Sequence, residues 1–333
     1  MSDESPNAKQ KRVDSSITRR TFLGMSLGTG VTLFAGGSAT ILGATSSTAM
    51  SPVTNPTWKL GGDLPVNRLG FGAMRITGEG IWGWPPDRNN ALKVLKRAVE
   101  LGVNLIDTAD AYGPETSELL IADALHPYPK GLVIATKGGL TRPGPSQWVP
   151  NGRPEYLKQA VEMSLKRLRL ERIDLYQLHT IDSKVPMEAS LGALKEMQDV
   201  GKIRHIGLSN VSPEEIVRAR KVVPIVSVQN EYNIEDRRWE KALVYCEKEG
   251  LGFMPWSPIG GGSGLKPENA LEKAARDRGA SVIQVALAWL LERSSVMLPI
   301  PGTSSIAHLE ENVAAAKLKL TPVEWKAIDA LAS

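Results

Sequence analysis

IDLYQLHTIDSKVPMEASLGALKEMQDVGKIRHIGLS, residues Ile173 to Ser209, reads as a strand, a helix and a second strand. Residues 173–178 and 205–209 are short, predominantly apolar runs, and 187–200 carries the three-to-four spacing of an amphipathic helix. A strand that returns parallel through a helix needs a right-handed crossover, so the unit predicts a parallel sheet covered by helices. The same unit recurs on both sides. Strands are expected at 68–72, 104–107, 132–136, 173–178, 205–209, 225–229, 252–255 and 296–299. Helices are expected at 89–101, 115–125, 154–170, 187–200, 213–221, 237–248, 267–291 (as two helices) and 305–315. Eight units in one domain predict an α/β fold, a closed (β/α)8 TIM barrel, rather than an open doubly wound sheet. No GxGxxG follows the first strand, which argues further against a dinucleotide-binding open sheet. Residues 57–67, TWKLGGDLPVN, predict a hairpin plugging the barrel's N-terminal end. The Gly- and Pro-rich 138–153 predicts a long loop without regular structure at the opposite face, where barrel active sites lie.

The remaining composition is that of a globular chain. Of 333 residues, 42% are hydrophobic and 23% charged, enough apolar surface for a large core, so disorder and a disulfide miniprotein are excluded. The single cysteine, Cys246, allows no intramolecular disulfide. Half of the net charge of +4 lies at the N-terminus. Residues 1–20 hold Lys9, Lys11, Arg12, Arg19 and Arg20 against Asp3, Glu4 and Asp14, and no charge follows until Lys59. The intervening TFLGMSLGTGVTLFAGGSATILGA is apolar but diluted by six glycines, and Ser47-Thr48-Ala49 suits signal cleavage. The pair in SITRRTFLG resembles a twin-arginine (Tat) signal, so residues 1–49 are expected to be an export leader recognised by the Tat machinery. The alternative is an uncleaved membrane anchor, with a cytoplasmic location if the leader is not functional. Removing the leader's five basic and three acidic residues from the chain's 40 and 36 leaves 35 and 33, a net charge of +2. No basic patch remains as a nucleic-acid signature. Periplasmic or extracellular export of a folded passenger would also fit a chain without disulfides.

In a barrel, polar residues at the C-terminal ends of strands converge on one mouth. The second strand ends in Asp107 and runs into Thr108-Ala109-Asp110-Ala111-Tyr112-Gly113, the third ends in Lys137 and the fourth in His179. Each has a structural alternative: Asp107 as the cap of the next helix, Lys137 as a solvated strand end, His179 as a core histidine, Tyr112 as packing. Together they make proton-transfer machinery. A phenol with an ordinary pKa near 10 needs a neighbouring cation to release its proton readily, and Lys137 can be that cation, held by Asp107. His179 would hydrogen-bond a substrate oxygen.

The segments IDTADAYG, ATKGG, LHTID, GLSN, VQNEYN, WSPIGGG and IPGTSSIAHLEEN resemble, in order and spacing, the aldo-keto reductase family, over nearly all of 58–333. The resemblance implies an NADP(H)-dependent oxidoreductase with Asp107, Tyr112, Lys137 and His179 as its catalytic tetrad and Tyr112 as proton donor to a carbonyl. It implies no metal, and the histidines and Cys246 show no ligand spacing. The barrel domain is expected at 57–333, as a monomer acting on a small carbonyl or alcohol substrate. The chain is most similar to a bacterial subgroup that includes pyridoxal reductase-like enzymes.

The resemblance also implies a cofactor site. Ser209, Asn210 and Gln229 would hold the carboxamide, Trp256 would stack on the nicotinamide, and Gly72 and Met74 would border the pocket. Ser257, Ile259, Gly260 and Gly261 would cradle the pyrophosphate through backbone N–H groups. Gly302, Thr303, Ser304 and His308 fall near the 2′-phosphate, and Glu311 and Asn312 near the adenine. Gly302 and His308 stand where other members carry Lys and Arg, which leaves NAD(H) use open beside NADP(H). Trp82, Trp84 and Trp148, with Asp182 or Arg75, are expected to frame a substrate pocket suited to a flat aldehyde. Two other classes compete: a Schiff-base aldolase using Lys137, and an NADP(H)-binding regulatory protein with little turnover.

Overall fold

The computed structural model describes residues 57–260 and 269–332. The leader at 1–49 and Gly261 lie outside the described residues. Two strands, β1 (Thr57–Leu60) and β2 (Leu64–Asn67), form an antiparallel hairpin with Trp58 opposite Val66. Alternation within the hairpin sends Leu60, Leu64 and Val66 to one face, where they pack with Leu105, Val133, Leu175, Met254 and Leu298. The hairpin is thus the expected plug.

The repeating units follow. They are β3 (Phe71–Gly72), α1 (Arg88–Glu100), β4 (Leu105–Asp107), α2 (Thr116–Leu125) and β5 (Val133–Gly138). After β6 (Leu140–Thr141) and β7 (Val149–Pro150) come α3 (Pro154–Leu168), β8 (Ile173–Leu178), α4 (Met187–Asp199) and β9 (Ile203–Ser209). Then come α5 (Pro213–Arg220), β10 (Ile225–Gln229), α6 (Glu240–Glu249), β11 (Gly252–Phe253), α7 (Asn269–Arg278), α8 (Val282–Arg293), α9 (Ile306–Ala314) and α10 (Pro322–Asp329). Seven strands make one parallel sheet in the order β11-β10-β9-β8-β5-β4-β3, and the helices bury their apolar faces against its outside.

The eighth place differs from the expected regular strand. Residues 296–299 form a single bridge, Met297 with Phe253, flanked by Phe253 N–H to Val296 O at 2.8 Å and Leu298 N–H to Phe253 O at 2.7 Å. On the other side Gly70 N–H donates to Pro299 O at 2.9 Å and Gly72 N–H to Pro301 O at 3.2 Å. The segment therefore bonds both edges and closes the barrel. Pro299 and Pro301 have no N–H to give, so a regular ladder cannot form. The approach is close: a Cβ on Gly72 would stand 2.6 Å from Ile300 O.

The loop 138–153 is more ordered than its composition suggests. β6 and β7 pair antiparallel, Asn151 N–H returns to Gly139 O at 2.9 Å, and Asp182 accepts Gly152 N–H at 3.0 Å. Ser190 Oγ donates to Gly152 O at 2.6 Å. Asp182 therefore pins the loop instead of framing the pocket.

Candidate active site

Lys137 stands at the inner C-terminal end of β5 and is fully buried at 0% exposure, so it is no solvated strand end. Its Nζ donates to Asp107 Oδ2 at 2.6 Å, to Thr108 O at 2.8 Å and to Tyr112 Oη at 3.2 Å. All three ammonium protons are thereby directed. Asp107 ends β4 and does not cap α2, because its oxygens are engaged inward. Oδ1 accepts Gln229 Nε2–H at 2.8 Å and Gln177 Nε2–H at 3.1 Å. Gln177 was missing from the expected site. A glutamine inside the apolar run 173–178 was the available signal, since a buried amide needs partners.

Tyr112 is 7% exposed, and its ring lies edge-on to His179 at 5.8 Å between centroids. Burial raises the Tyr112 pKa above the ordinary phenol value, and the Lys137 charge opposes this without overcoming it. The phenol is a proton donor in the neutral range. Lys137 is thus the cation expected beside the phenol, with burial acting against it. Burial also works against the Lys137 ammonium, but Asp107 and the Tyr112 oxygen outweigh it and hold its pKa above the ordinary lysine value. For His179, burial and then the positive charges of Lys137 and Arg142 push the pKa well down, so the ring is neutral. Its Nδ1 is buried without a hydrogen-bond partner. A neutral imidazole can donate one hydrogen bond to a substrate oxygen without charge repulsion from Lys137.

These groups open into a cavity of about 720 Å³. Of the expected residues, Gly72, Met74, Asp107, Tyr112, Trp148, His179, Ser209, Asn210, Gln229, Trp256, Ser257, Ile259, Gly260, Gly302, Thr303 and Ser304 line it. So does Arg75, the alternative to Asp182 in the expected pocket frame, and Glu231, Pro258 and Ile300 join them. His308, Glu311 and Asn312 sit on α9 outside this wall; His308 is exposed and Asn312 buried. Trp82 and Trp84 are also outside it. Hydrogen bonds from Gly78 N to Gly83 O and from Gly83 N to Gly113 O fold the 78–83 turn so that Trp82 meets Arg142, while Trp84 is 51% exposed beside Arg88.

The amide partners refine the expected cofactor contacts. Gln229 Nε2 faces Asp107 and, at 3.3 Å, Gln177 Oε1, which leaves Gln229 Oε1 as the acceptor for a carboxamide. Asn210 is engaged at both ends: Nδ2 donates to His179 O and Ser209 Oγ, and Oδ1 accepts Trp256 Nε1–H at 3.0 Å. In this arrangement Asn210 orients the indole. Ser257 Oγ is buried without a partner, an orphan polar atom on the cavity wall that an incoming oxygen would satisfy. Thr303 and Ser304 precede α9, whose N-cap Ser305 accepts His308 N–H at 3.4 Å, and a helix N-terminus favours an anion. The cavity thus offers an elongated ligand an amide acceptor, an aromatic face and an anion site. A dinucleotide fits that set.

The profile of the aldo/keto reductase family matches residues 68–333. An uncharacterised oxidoreductase of Schizosaccharomyces pombe is 51% identical over 268 residues, covering 80% of this chain and 87% of its own. Pyridoxine 4-dehydrogenase of Escherichia coli is 44% identical over 276 residues, covering 81% and 96%. An aldo/keto reductase of Klebsiella pneumoniae, solved with NADP and acetate, superposes with a TM-score of 0.72 at 25% identity, covering 83% of this chain and 95% of that one.

Proposed function

Because the chain belongs to the aldo/keto reductase family, we propose that it reduces an aldehyde or ketone to an alcohol with NADPH, and catalyses the reverse oxidation. The observation that carries this is the hydrogen bond of 3.2 Å from a fully buried Lys137 ammonium to the Tyr112 phenol, beside a neutral His179. Bound NADPH supplies a hydride to a carbonyl carbon. Tyr112 gives its proton to the carbonyl oxygen, Lys137 keeps the phenolate that forms paired with a cation, and His179 orients the oxygen. Asp107 holds Lys137 in place through Oδ2, while Gln177 and Gln229 hold Asp107.

NADP(H) is the proposed cofactor, supported by the relative solved with NADP and by the anion site before α9. Pyridoxal or pyridoxine is the proposed substrate pair, supported by the relative named pyridoxine 4-dehydrogenase and by the indole of Trp148 on the cavity wall. A Schiff-base role for Lys137 is disfavoured by its ion pair, since the nucleophile must be a neutral amine. We also propose that the barrel acts as a monomer and that residues 1–49 direct export, on the twin-arginine pattern alone.

NADPH consumption with a panel of aldehydes, in wild type and Tyr112→Phe, tests the reaction. The variant is expected to lose at least ~100-fold in turnover, the low end for a general acid. Equal rates would remove Tyr112 from the reaction.

A further inference from the structure

We infer that Arg142 is a positioning residue that fixes Trp148 as a wall of the catalytic cavity, and through it selects flat ring aldehydes over short aliphatic ones; this rests on the reduction proposed above. Trp148 belongs to the loop between β6 and β7, an element with two residues in each strand. So short a hairpin cannot hold a large indole by itself. Yet Trp148 borders the reacting groups, with ring centroids 6.3 Å from Tyr112 and 6.4 Å from His179, both edge-on.

The missing rigidity comes from Arg142. Its guanidinium carbon lies 3.7 Å from the centroid of the Trp148 ring and 5.5 Å from that of Trp82, so both indoles flank one cation. The same guanidinium ties three separate segments by their carbonyls. Nε donates to Gln147 O at 3.0 Å, and one terminal nitrogen donates to Ala111 O at 2.8 Å and Ile81 O at 3.2 Å. Residue 111 immediately precedes Tyr112, and residue 147 precedes Trp148. The catalytic loop and the substrate wall are therefore fastened to one rigid plane.

Arg142 is 9% exposed, and among the described residues its guanidinium donates to backbone carbonyls and pairs with no carboxylate. Burial draws its pKa below the ordinary arginine value without a compensating ion pair. A buried, unpaired cation is costly unless its hydrogen bonds and ring contacts are worth keeping. Lysine cannot substitute, because an ammonium neither spreads over an indole nor reaches carbonyls in these separate directions. A fixed indole offers a stacking surface that a flat unsaturated ring can use and a short alkyl chain cannot.

The test is the ratio of kcat/KM for pyridine-4-carboxaldehyde over butanal in wild type, Arg142→Gln, Arg142→Lys, Trp148→Leu and the double variant Arg142→Gln/Trp148→Leu. Both arginine variants should lower the ratio about tenfold through KM for the ring aldehyde. The double variant should lose no more than Trp148→Leu alone, because Arg142 acts through Trp148. An unchanged ratio, or losses that add, would overturn the assignment. A readout without turnover accompanies it: in 5-fluorotryptophan protein, the fluorine resonance absent from Trp148→Leu should shift and broaden in Arg142→Gln. An unmoved resonance would also overturn it. Tyr112→Phe turning over like wild type would instead defeat the proposed reaction, leaving the fluorine result to decide Arg142.

Discussion

At the scale of single residues, the account turns on how Lys137 and Asp107 set the phenol of Tyr112. Replacing Lys137 by Met removes the only effect that lowers the Tyr112 pKa through direct contact. The pH profile of alcohol oxidation, which needs the phenol deprotonated, should rise through the alkaline range in wild type. In Lys137→Met the rise should move to higher pH. The same change strands the Asp107 carboxylate, 2% exposed, without its cation. Breaking a buried pair from one side costs about 3–5 kcal/mol, so a denaturant midpoint should fall correspondingly. The clustering of Asp107, Tyr112, Lys137 and His179 was legible because strand-end positions in a barrel share a mouth whatever else the sequence says. Gln177 and Arg142 were not, since their importance lies in side-chain direction and partner atoms distant in sequence. Asn210 shows the same limit: its position was read correctly, but only the structure turns its amide toward Trp256 and the His179 carbonyl.

Among the elements, the alternation of strands and helices carried most of the fold, because each unit repeats one period change. The eighth strand and the final helix departed from it. Proline interrupts the ladder at 299 and 301, so closure depends on hydrogen bonds from both neighbouring edges and on a side chain. Arg68 supplies the latter. Its guanidinium donates to Met297 O at 3.1 Å and Leu291 O at 2.6 Å and also to Ser294 O, tying the end of α8 to the closing segment. Arg68→Met should expose those buried carbonyls to no partner and cost about 3 kcal/mol, as unmade buried hydrogen bonds do. An unchanged melting temperature would mean that the backbone bonds suffice. In the plug, Leu60→Ala should cost about 2–5 kcal/mol, since Leu60 is fully buried. The helix α10 was absent from the expected elements although Thr321-Pro322-Val323-Glu324 carried its signature. Thr321 and Glu324 cap each other's backbone reciprocally, and Pro322 occupies the first turn.

For the whole molecule, half of the net charge of +4 lies in residues 1–20, ahead of the barrel in sequence. Export is proposed from the twin-arginine pattern, so in fractionated intact cells the protein with Arg19 and Arg20 both changed to Lys should be found in the cytoplasm. Cys246 is buried in α6, and burial pushes its thiol up to about 12, so the fold presents no reactive cysteine. The cavity joins strand ends from around the barrel, so its principal ligand should stabilise the molecule as one unit. NADPH at a hundredfold excess over its Kd should add about 2.7 kcal/mol to unfolding, with a smaller gain from NADH at equal concentration. The measurement that bears most directly on the account is the fate of the nicotinamide hydrogen. With NADPH deuterated at the transferred position and pyridoxal or pyridine-4-carboxaldehyde as substrate, the product alcohol should carry one deuterium on the former carbonyl carbon by mass spectrometry, and Tyr112→Phe should form it at least ~100-fold more slowly. An alcohol without deuterium, or equal rates in the two proteins, would contradict direct hydride transfer assisted by Tyr112.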